Sequence, residues 1–281
     1  MLSNSNLWSV QQLNAQLTDA NLVILDASIA PVGAMNLAPK RWPDCVIPRA
    51  KRFDIDKQFS AQHSVLPHTM PNASQFNQLV QQLAIDNDQQ IVVYDDQGIF
   101  SSPRAWWMFK AMGHQQVAVL DGGLPAWVAE HYPTTSAITT DYRTGNFSGT
   151  LQTNAFCTQQ QLLAVQADPQ YVVLDARARL RFQGKVAEPR AGLRSGHIPN
   201  SKNLPYTELQ AHGKFLTVDV LEQIFAQYVT KQQTIITSCG SGVTACVIAL
   251  AAELCGYPSI TVYDGSWAEW GQDPLLPCHT D

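Results

Sequence analysis

The chain repeats itself once, and no other feature limits its fold as strongly. Leu22-Val23-Ile24-Leu25-Asp26-Ala27 is echoed by Val172-Val173-Leu174-Asp175-Ala176, and Ile47-Pro48 by Ile198-Pro199. Ile91-Val92-Val93-Tyr94-Asp95 parallels Ile235-Ile236-Thr237-Ser238-Cys239, and Val117-Ala118-Val119-Leu120-Asp121-Gly122-Gly123 parallels Ile260-Thr261-Val262-Tyr263-Asp264-Gly265-Ser266. Matching positions lie between 143 and 151 residues apart. Self-similarity at that spacing means one domain present twice, and 281 residues divide into two units of ordinary domain size. A polar stretch from Tyr132 to Gly149 reads as the connection. The expected organisation is a first domain over 1–135, a linker over 136–155 and a second domain over 156–281.

Within each half, short β-branched runs alternate with helical patterns, which predicts an α/β fold: two tandem domains, each a mostly parallel sheet flanked by helices. Helices are expected at Ser74–Leu83, Pro103–Met112, Thr158–Ala167, Val218–Tyr228 and Thr244–Leu254, with Gly113 and Gly256 as stops. The residues that close the strands, Asp26, Asp95, Asp121, Asp175, Cys239 and Asp264, then gather at the carboxyl edges of the sheets, where open α/β folds place their sites.

Cys239 is the chemically pointed member of that set. It ends the apolar run Thr234–Ser238 and opens Cys239-Gly240-Ser241-Gly242-Val243-Thr244-Ala245, after which a helical pattern begins. A strand, a glycine-rich turn and a helix in that order aim successive backbone N–H groups and the positive end of a helix dipole at the sulfur. Such a setting favours the thiolate, which is the nucleophile. A buried structural cysteine is the alternative, but it has no need of glycine on both sides of Ser241. The first half has Asp95 at the matching position and a turn one residue longer, Asp96-Gln97-Gly98-Ile99-Phe100, so it cannot do thiol chemistry. Its expected role is to pack against the second half and wall a cleft.

Composition excludes several classes. Eighteen basic and twenty-three acidic residues give a formal charge of -5, and neither sign forms a long run, so no nucleic-acid partner is expected. No apolar stretch approaches the ~18–20 residues that cross a bilayer, and Met1–Trp8 lacks a basic segment followed by an apolar one. A cytoplasmic monomer without a membrane partner is the expectation. The six cysteines at 45, 157, 239, 246, 255 and 278 are scattered, without a C-x-x-C pair or a Cys/His group at zinc spacing. Neither disulfide framework, metal nor cofactor is indicated.

Several segments, in this order, carry a family likeness: Tyr94-Asp95 with Ser102-Pro103-Arg104-Ala105-Trp106-Trp107-Met108; Asp121-Gly122-Gly123-Leu124; Arg181-Phe182 with Glu188-Pro189-Arg190; Ser195-Gly196-His197-Ile198-Pro199; Cys239 to Ala245; and Tyr263-Asp264-Gly265-Ser266-Trp267-Ala268-Glu269-Trp270. Along nearly its whole length the chain resembles the two-domain rhodanese-like sulfurtransferases and, within them, the 3-mercaptopyruvate sulfurtransferases. The resemblance implies an inactive first domain and a catalytic second one, with Cys239 cycling between thiolate and persulfide. A small-molecule donor supplies the sulfur, and a thiol, thioredoxin among the candidates, or cyanide takes it. In the same terms Gly240, Ser241, Gly242, Val243 and Thr244 form the loop that cradles the persulfide.

Donor choice follows from charge. Family members that prefer dianionic thiosulfate carry basic residues in the two positions after the cysteine, whereas this chain has Gly240 and Ser241. An uncharged loop suits a carboxylated donor recognised elsewhere, and the resemblance assigns that role to Arg181 and Arg190. Thiosulfate as main donor is the alternative. Arg177, Arg179 and Arg194 read as solvated surface. The resemblance also implies a proton relay from Ser241 to an Asp and a His of the first domain. At the expected histidine this chain reads Val46, in Val46-Ile47-Pro48-Arg49-Ala50, which leaves Ser241 to act alone, through water, or with another group such as His68, and predicts an altered pH dependence. His197 reads as a buried hydrogen-bonding residue, Cys246 and Cys255 as core, and the tryptophans as packing. A phosphatase or arsenate reductase needs Cys-x5-Arg, and Ala245 stands where that arginine belongs. A non-catalytic module would have no use for an intact Cys239 loop.

Overall fold

The computed structural model describes residues 5–32, 44–136 and 143–281. In the first half, strands β1 (Leu7–Trp8), β2 (Leu22–Asp26), β3 (Lys51–Arg52), β4 (Gln90–Tyr94) and β5 (Val117–Leu120) form a parallel sheet of order β1-β5-β4-β2-β3. Helices α1 (Val10–Ala15), α2 (Ala73–Gln82), α3 (Ser102–Ala111) and α4 (Gly123–Ala129) connect and cover it. The second half builds the same sheet from β6 (Phe156–Cys157), β7 (Tyr171–Asp175), β8 (Lys202–Asn203), β11 (Thr234–Ser238) and β12 (Ile260–Tyr263), in the order β6-β12-β11-β7-β8. Its helices are α5 (Gln159–Val165), α6 (Arg179–Phe182), α7 (Val218–Phe225), α8 (Ala245–Leu254) and α9 (Ser266–Trp270). A small antiparallel hairpin, β9 (Gln210–Ala211) with β10 (Lys214–Phe215), is particular to the second half among the described residues. The repeat read from sequence is a repeat of sheet topology, to which the second half adds α6 and the hairpin among the described residues.

Local chemistry explains the shared start of each half. After β1 the run Ser9-Val10-Gln11-Gln12 forms a capping box, and after β6 Thr158-Gln159-Gln160-Gln161 forms another. The hydroxyl accepts from the third residue's N–H while the glutamine side chain accepts from the cap's own, meeting two donors that a helix start otherwise leaves bare. The Ser-x-x-Gln spacing makes α1 legible in sequence, although it is absent from the expected helices. Strands β2, β4 and β5 are buried along their whole length, as parallel strands sandwiched by helices are.

The helices that follow β4 and β11 are apolar on nearly every face, which marks a helix enclosed on all sides. Each sequence says so: α3 reads Ser-Pro-Arg-Ala-Trp-Trp-Met-Phe-Lys-Ala and α8 reads Ala-Cys-Val-Ile-Ala-Leu-Ala-Ala-Glu-Leu. They bury those faces against one another, so one hydrophobic core runs from Val23 and Phe109 in the first half through to Val247 and Val262 in the second. Residues 137–142 of the expected linker lie outside the described residues. From Arg143 on, the chain is bound along the first half: Gly145 N–H donates to Gln81 O, Phe147 N–H donates to Ile85 O, and the Phe147 ring meets Phe76 and Phe109 edge-on. Among the described residues no helix is long and apolar enough to cross a membrane.

Candidate active site

Cys239 stands at the carboxyl end of β11, and α9 holds the turn in place. The N–H groups of Trp267 and Ala268 donate to the carbonyls of Cys239 and Gly240, each at 2.9 Å. Ser266 Oγ accepts the Cys239 N–H at 3.1 Å and donates to Tyr263 O at 2.9 Å. With its first two carbonyls turned toward α9, the loop presents its amides on the other side. Among the described residues, none accepts a hydrogen bond from the N–H of Ser241, Gly242, Val243 or Thr244. Gly242 has φ +75°, and a Cβ there would lie 2.9 Å from Asp264 O, so the turn requires glycine. Ser266 was outside the candidate residues, though it sits in the quoted Tyr263-Asp264-Gly265-Ser266 segment.

The sulfur side of this loop faces a cleft of about 300 Å³ between the two halves. Ile29, His68 and Phe100 line it from the first half; Arg181, Arg190 and Cys239 line it from the second. Cys239 is 2% exposed, which keeps bulk water off the thiol while leaving it a wall of the cleft. A larger hollow of about 780 Å³ on another side contains Cys157, but burial pushes that thiol up to about 12. Cys246 and Cys255 are buried, with thiols pushed up to about 12 and about 11, as core cysteines are.

Arg181 and Arg190 converge on Gly240. A Cβ on that residue would come within 3.2 Å of Arg181 Nη2 and 3.6 Å of Arg190 Nη1. The positive charge missing from positions 240 and 241 is thus delivered over the loop by a separate segment, and a side chain at 240 would crowd it. Arg190 Nη2 also reaches Ser241 Oγ at 3.4 Å.

Ser241 has a second partner, and it is not at position 46, where the sequence reading expects the relay histidine. His68 Nδ1 lies 2.9 Å from Ser241 Oγ, and His68 Nε2 lies 3.1 Å from Asp56 Oδ1. The carboxylate accepts the Nε2 proton, which leaves Nδ1 as the acceptor for the serine hydroxyl. Val46, by contrast, is fully buried away from the cleft and pairs its backbone with Thr135. The absence of a histidine at 46 therefore leaves no gap, because another loop supplies the imidazole. His68 sits on a left-handed backbone, φ +60°, and is buried. Burial, reinforced by Arg104 and Arg190 and opposed by Asp56, lowers its pKa, so at neutral pH it is an uncharged proton acceptor.

Arg104 of α3 joins these parts. It is fully buried, with Nη2 donating to His68 O at 2.6 Å and to Asp264 Oδ1 at 2.7 Å. Its Nη1 lies 3.5 Å from Gly242 O, and Asp264 Oδ2 in turn accepts the Met70 N–H at 2.8 Å. One guanidinium thus ties the His68 loop of the first half to the Cys239 loop of the second.

Two of the arginines read as solvated surface are nothing of the kind. Arg177 is 2% exposed, held by Asp175 at 2.7 Å, Glu188 at 3.0 Å and Gly196 O at 2.8 Å, with its guanidinium over the Trp267 ring. Arg194 donates to the carbonyls of Trp270, Gly271 and Leu276 and closes the end of α9. Arg179 is exposed and pairs with Glu208. His197 is buried, stacks on Phe182 at 3.9 Å and bonds Phe182 O through Nδ1 at 2.9 Å, outside the cleft.

The sheet order is present twice, and the cysteine at a strand end followed by main-chain amides without acceptors among the described residues is found in the second copy. The rhodanese-like domain model matches residues 9–130 and 158–273. The chain belongs to the rhodanese-like family. It is 36% identical over 278 residues to the 3-mercaptopyruvate sulfurtransferase of Escherichia coli (strain K12), covering 97% of this chain and 98% of that protein. It is 37% identical over 273 residues to the thiosulfate sulfurtransferase of Rattus norvegicus, covering 95% and 90%. Among solved structures, SseA from Escherichia coli, a 3-mercaptopyruvate sulfotransferase with the rhodanese fold, superposes with a TM-score of 0.83 at 33% identity, over 94% of this chain and all of that one. Each half of the present chain is one rhodanese-like domain. Relatives named for either donor lie at near-equal distance, so donor preference rests on the cleft.

Proposed function

We propose that the protein is a sulfurtransferase that takes sulfur from 3-mercaptopyruvate, releases pyruvate, and passes the sulfur to a thiol or cyanide through a persulfide on Cys239. The observation that carries this reading is the grouping of Cys239, the Ser241–His68–Asp56 chain and the Arg181/Arg190 pair around one cleft. The donor's carboxylate binds the guanidinium forks. The Cys239 thiolate attacks the donor's sulfur; the S–S bond forms, the C–S bond breaks, and its electron pair leaves as the enolate of pyruvate. The S–H proton of the donor passes by way of Ser241 and His68 to the enolate carbon, so the persulfide ends as an anion and the product as pyruvate. The amides of Gly240 to Thr244 hold the outer sulfur in that anionic state by fixed dipoles.

In this reading the second half, 156–281, is the catalytic domain and the first, 1–135, supplies His68 and Asp56 as well as a wall. Thiosulfate sulfurtransfer is the second reading, favoured by the two cations over Gly240. Incubation with mercaptopyruvate, followed by intact mass spectrometry and a pyruvate assay, tests the proposal. A gain of one sulfur atom that Cys239→Ala abolishes is expected. Thiosulfate turnover exceeding mercaptopyruvate turnover would replace the first reading by the second, and transfer without sulfur on Cys239 would sink both. A monomer in the cytoplasm, with thioredoxin among its acceptors, completes the proposal; sedimentation and a thioredoxin-coupled assay check the first and last points.

A further inference from the structure

The cleft's charge does not follow from counting its arginines, because a buried carboxylate cancels part of it. Arg177, Arg181 and Arg190 stand together beside Cys239, and Asp175 and Glu188 stand among them. Arg177 spends its donors on Asp175, Glu188 and Gly196 O. Arg181 is gripped by Glu188 through both oxygens, Nε to Oε1 at 3.2 Å and Nη2 to Oε2 at 2.6 Å. The Glu188 side chain is 1% exposed and so faces these two guanidiniums rather than solvent. Arg190 has no carboxylate partner among the described residues; its polar contact is the Ser241 hydroxyl. The neighbouring Arg104 is neutralised by Asp264, and Asp56 faces His68 on the exposed side. Three guanidiniums against two carboxylates leave one surplus positive charge to face the Cys239 thiolate and the donor together, and no Asp or Glu side chain lines the cleft among the described residues.

We propose that Glu188 is a positioning residue that sets donor specificity: by holding Arg181 and cancelling its charge, it lowers the positive charge of the cleft by one, which disfavours a dianion such as thiosulfate more than a monoanionic carboxylated donor. The proposal rests on Arg181 and Arg190 meeting the donor, as in the function proposed above. Removing a buried negative charge at this distance favours every anion, and a dianion twice as much as a monoanion. It also frees Arg181 from the geometry that presents it to a carboxylate.

The test is kinetic. In Glu188→Gln the kcat/KM ratio of thiosulfate to mercaptopyruvate should rise at least about ten-fold, mainly through a lower thiosulfate KM. Added salt should shrink the gain. Glu188→Asp keeps the charge and should keep the ratio near that of the unmodified protein. A folded Glu188→Gln protein whose ratio is unchanged, or a Glu188→Asp protein whose ratio shifts equally, overturns the proposal. The unmodified protein offers a check independent of folding: pyruvate should compete with the donor better than sulfate does, and the reverse order overturns the charge argument. Arg190→Gln separates the two levels. If it leaves the mercaptopyruvate KM unchanged, the donor-binding reading itself fails; if the KM rises while Glu188→Gln leaves the ratio unchanged, only the role of Glu188 is lost.

Discussion

Asp95 and Cys239 close equivalent strands, and the turns that follow them use their main-chain amides in opposite ways. Asp95 Oδ2 accepts the N–H groups of Phe100 and Ser101 at 2.9 Å and Ser102 at 2.8 Å, and the Ser102 hydroxyl at 2.7 Å. Its carboxylate is the anion of its own nest. In the second half, after the shorter turn, the N–H groups of Ser241 to Thr244 have no acceptor among the described residues. Both turns are braced from behind in the same manner: Leu124 N–H donates to Asp95 O as Trp267 N–H donates to Cys239 O. Duplication thus preserved the frame, and one side chain decided whether the anion site is filled from within or left for a substrate. Where the second half carries its nucleophile the first carries an internal anion, and it reaches the cleft through His68, which is bonded to Asp56 and Ser241.

The comparison can be attacked from several directions. His68→Ala removes what the first half gives to the chemistry and should lower kcat about 10²- to 10⁴-fold, the usual worth of a positioned acid–base group. Its pKa is lowered by burial, so the imidazole is neutral above its ordinary value and the activity should fall only as pH drops below about 6.5; His68→Ala should lose that acid limb. The same sign holds for stability. A neutral buried histidine takes up a proton on unfolding below about pH 6.5, so stability is present above that pH and lost as pH falls through the depressed value. A pH–rate profile unaltered by His68→Ala would break the assignment.

Asp95→Ala attacks the other half. It leaves several buried amides without an acceptor and should cost about 3 kcal/mol in urea unfolding, while the rate per folded molecule stays near that of the parent. An equal loss of stability and of turnover per folded molecule would show that the two nests are not independent. A subtler probe is Gly242→Ala, which forces a side chain onto φ +75° and toward Asp264 O. It should cost ~1–2 kcal/mol of stability and lower sulfur uptake by Cys239, read by mass spectrometry; unchanged uptake would mean that the loop's curvature is not what presents the amides.

Much of this was legible in the sequence because it is local. Apolar runs bounded by turn residues give the strands, and the glycines around Ser241 with an unbroken apolar helix after them single out Cys239. The Arg181–Glu188–Arg190 segment was visible as a motif, but not that Arg177 is buried in it: an arginine and its carboxylates can be told from solvated charges only once their burial is known. His68 was harder still, because the strongest local cue pointed to position 46.

Taken alone, the amino-acid order determined two copies of a parallel α/β sheet and which strand end carries the thiol, since strand period, turn chemistry and helix patterning act over a few residues. Only the tertiary structure decided that His68 meets Ser241, a contact spanning 173 positions, and that Arg104 ties His68 and Gly242 to Asp264. Those pairings depend on how α3 and α8 bury their apolar faces against each other, and burial of a helix face is a non-directional force that the sequence records without naming its partner.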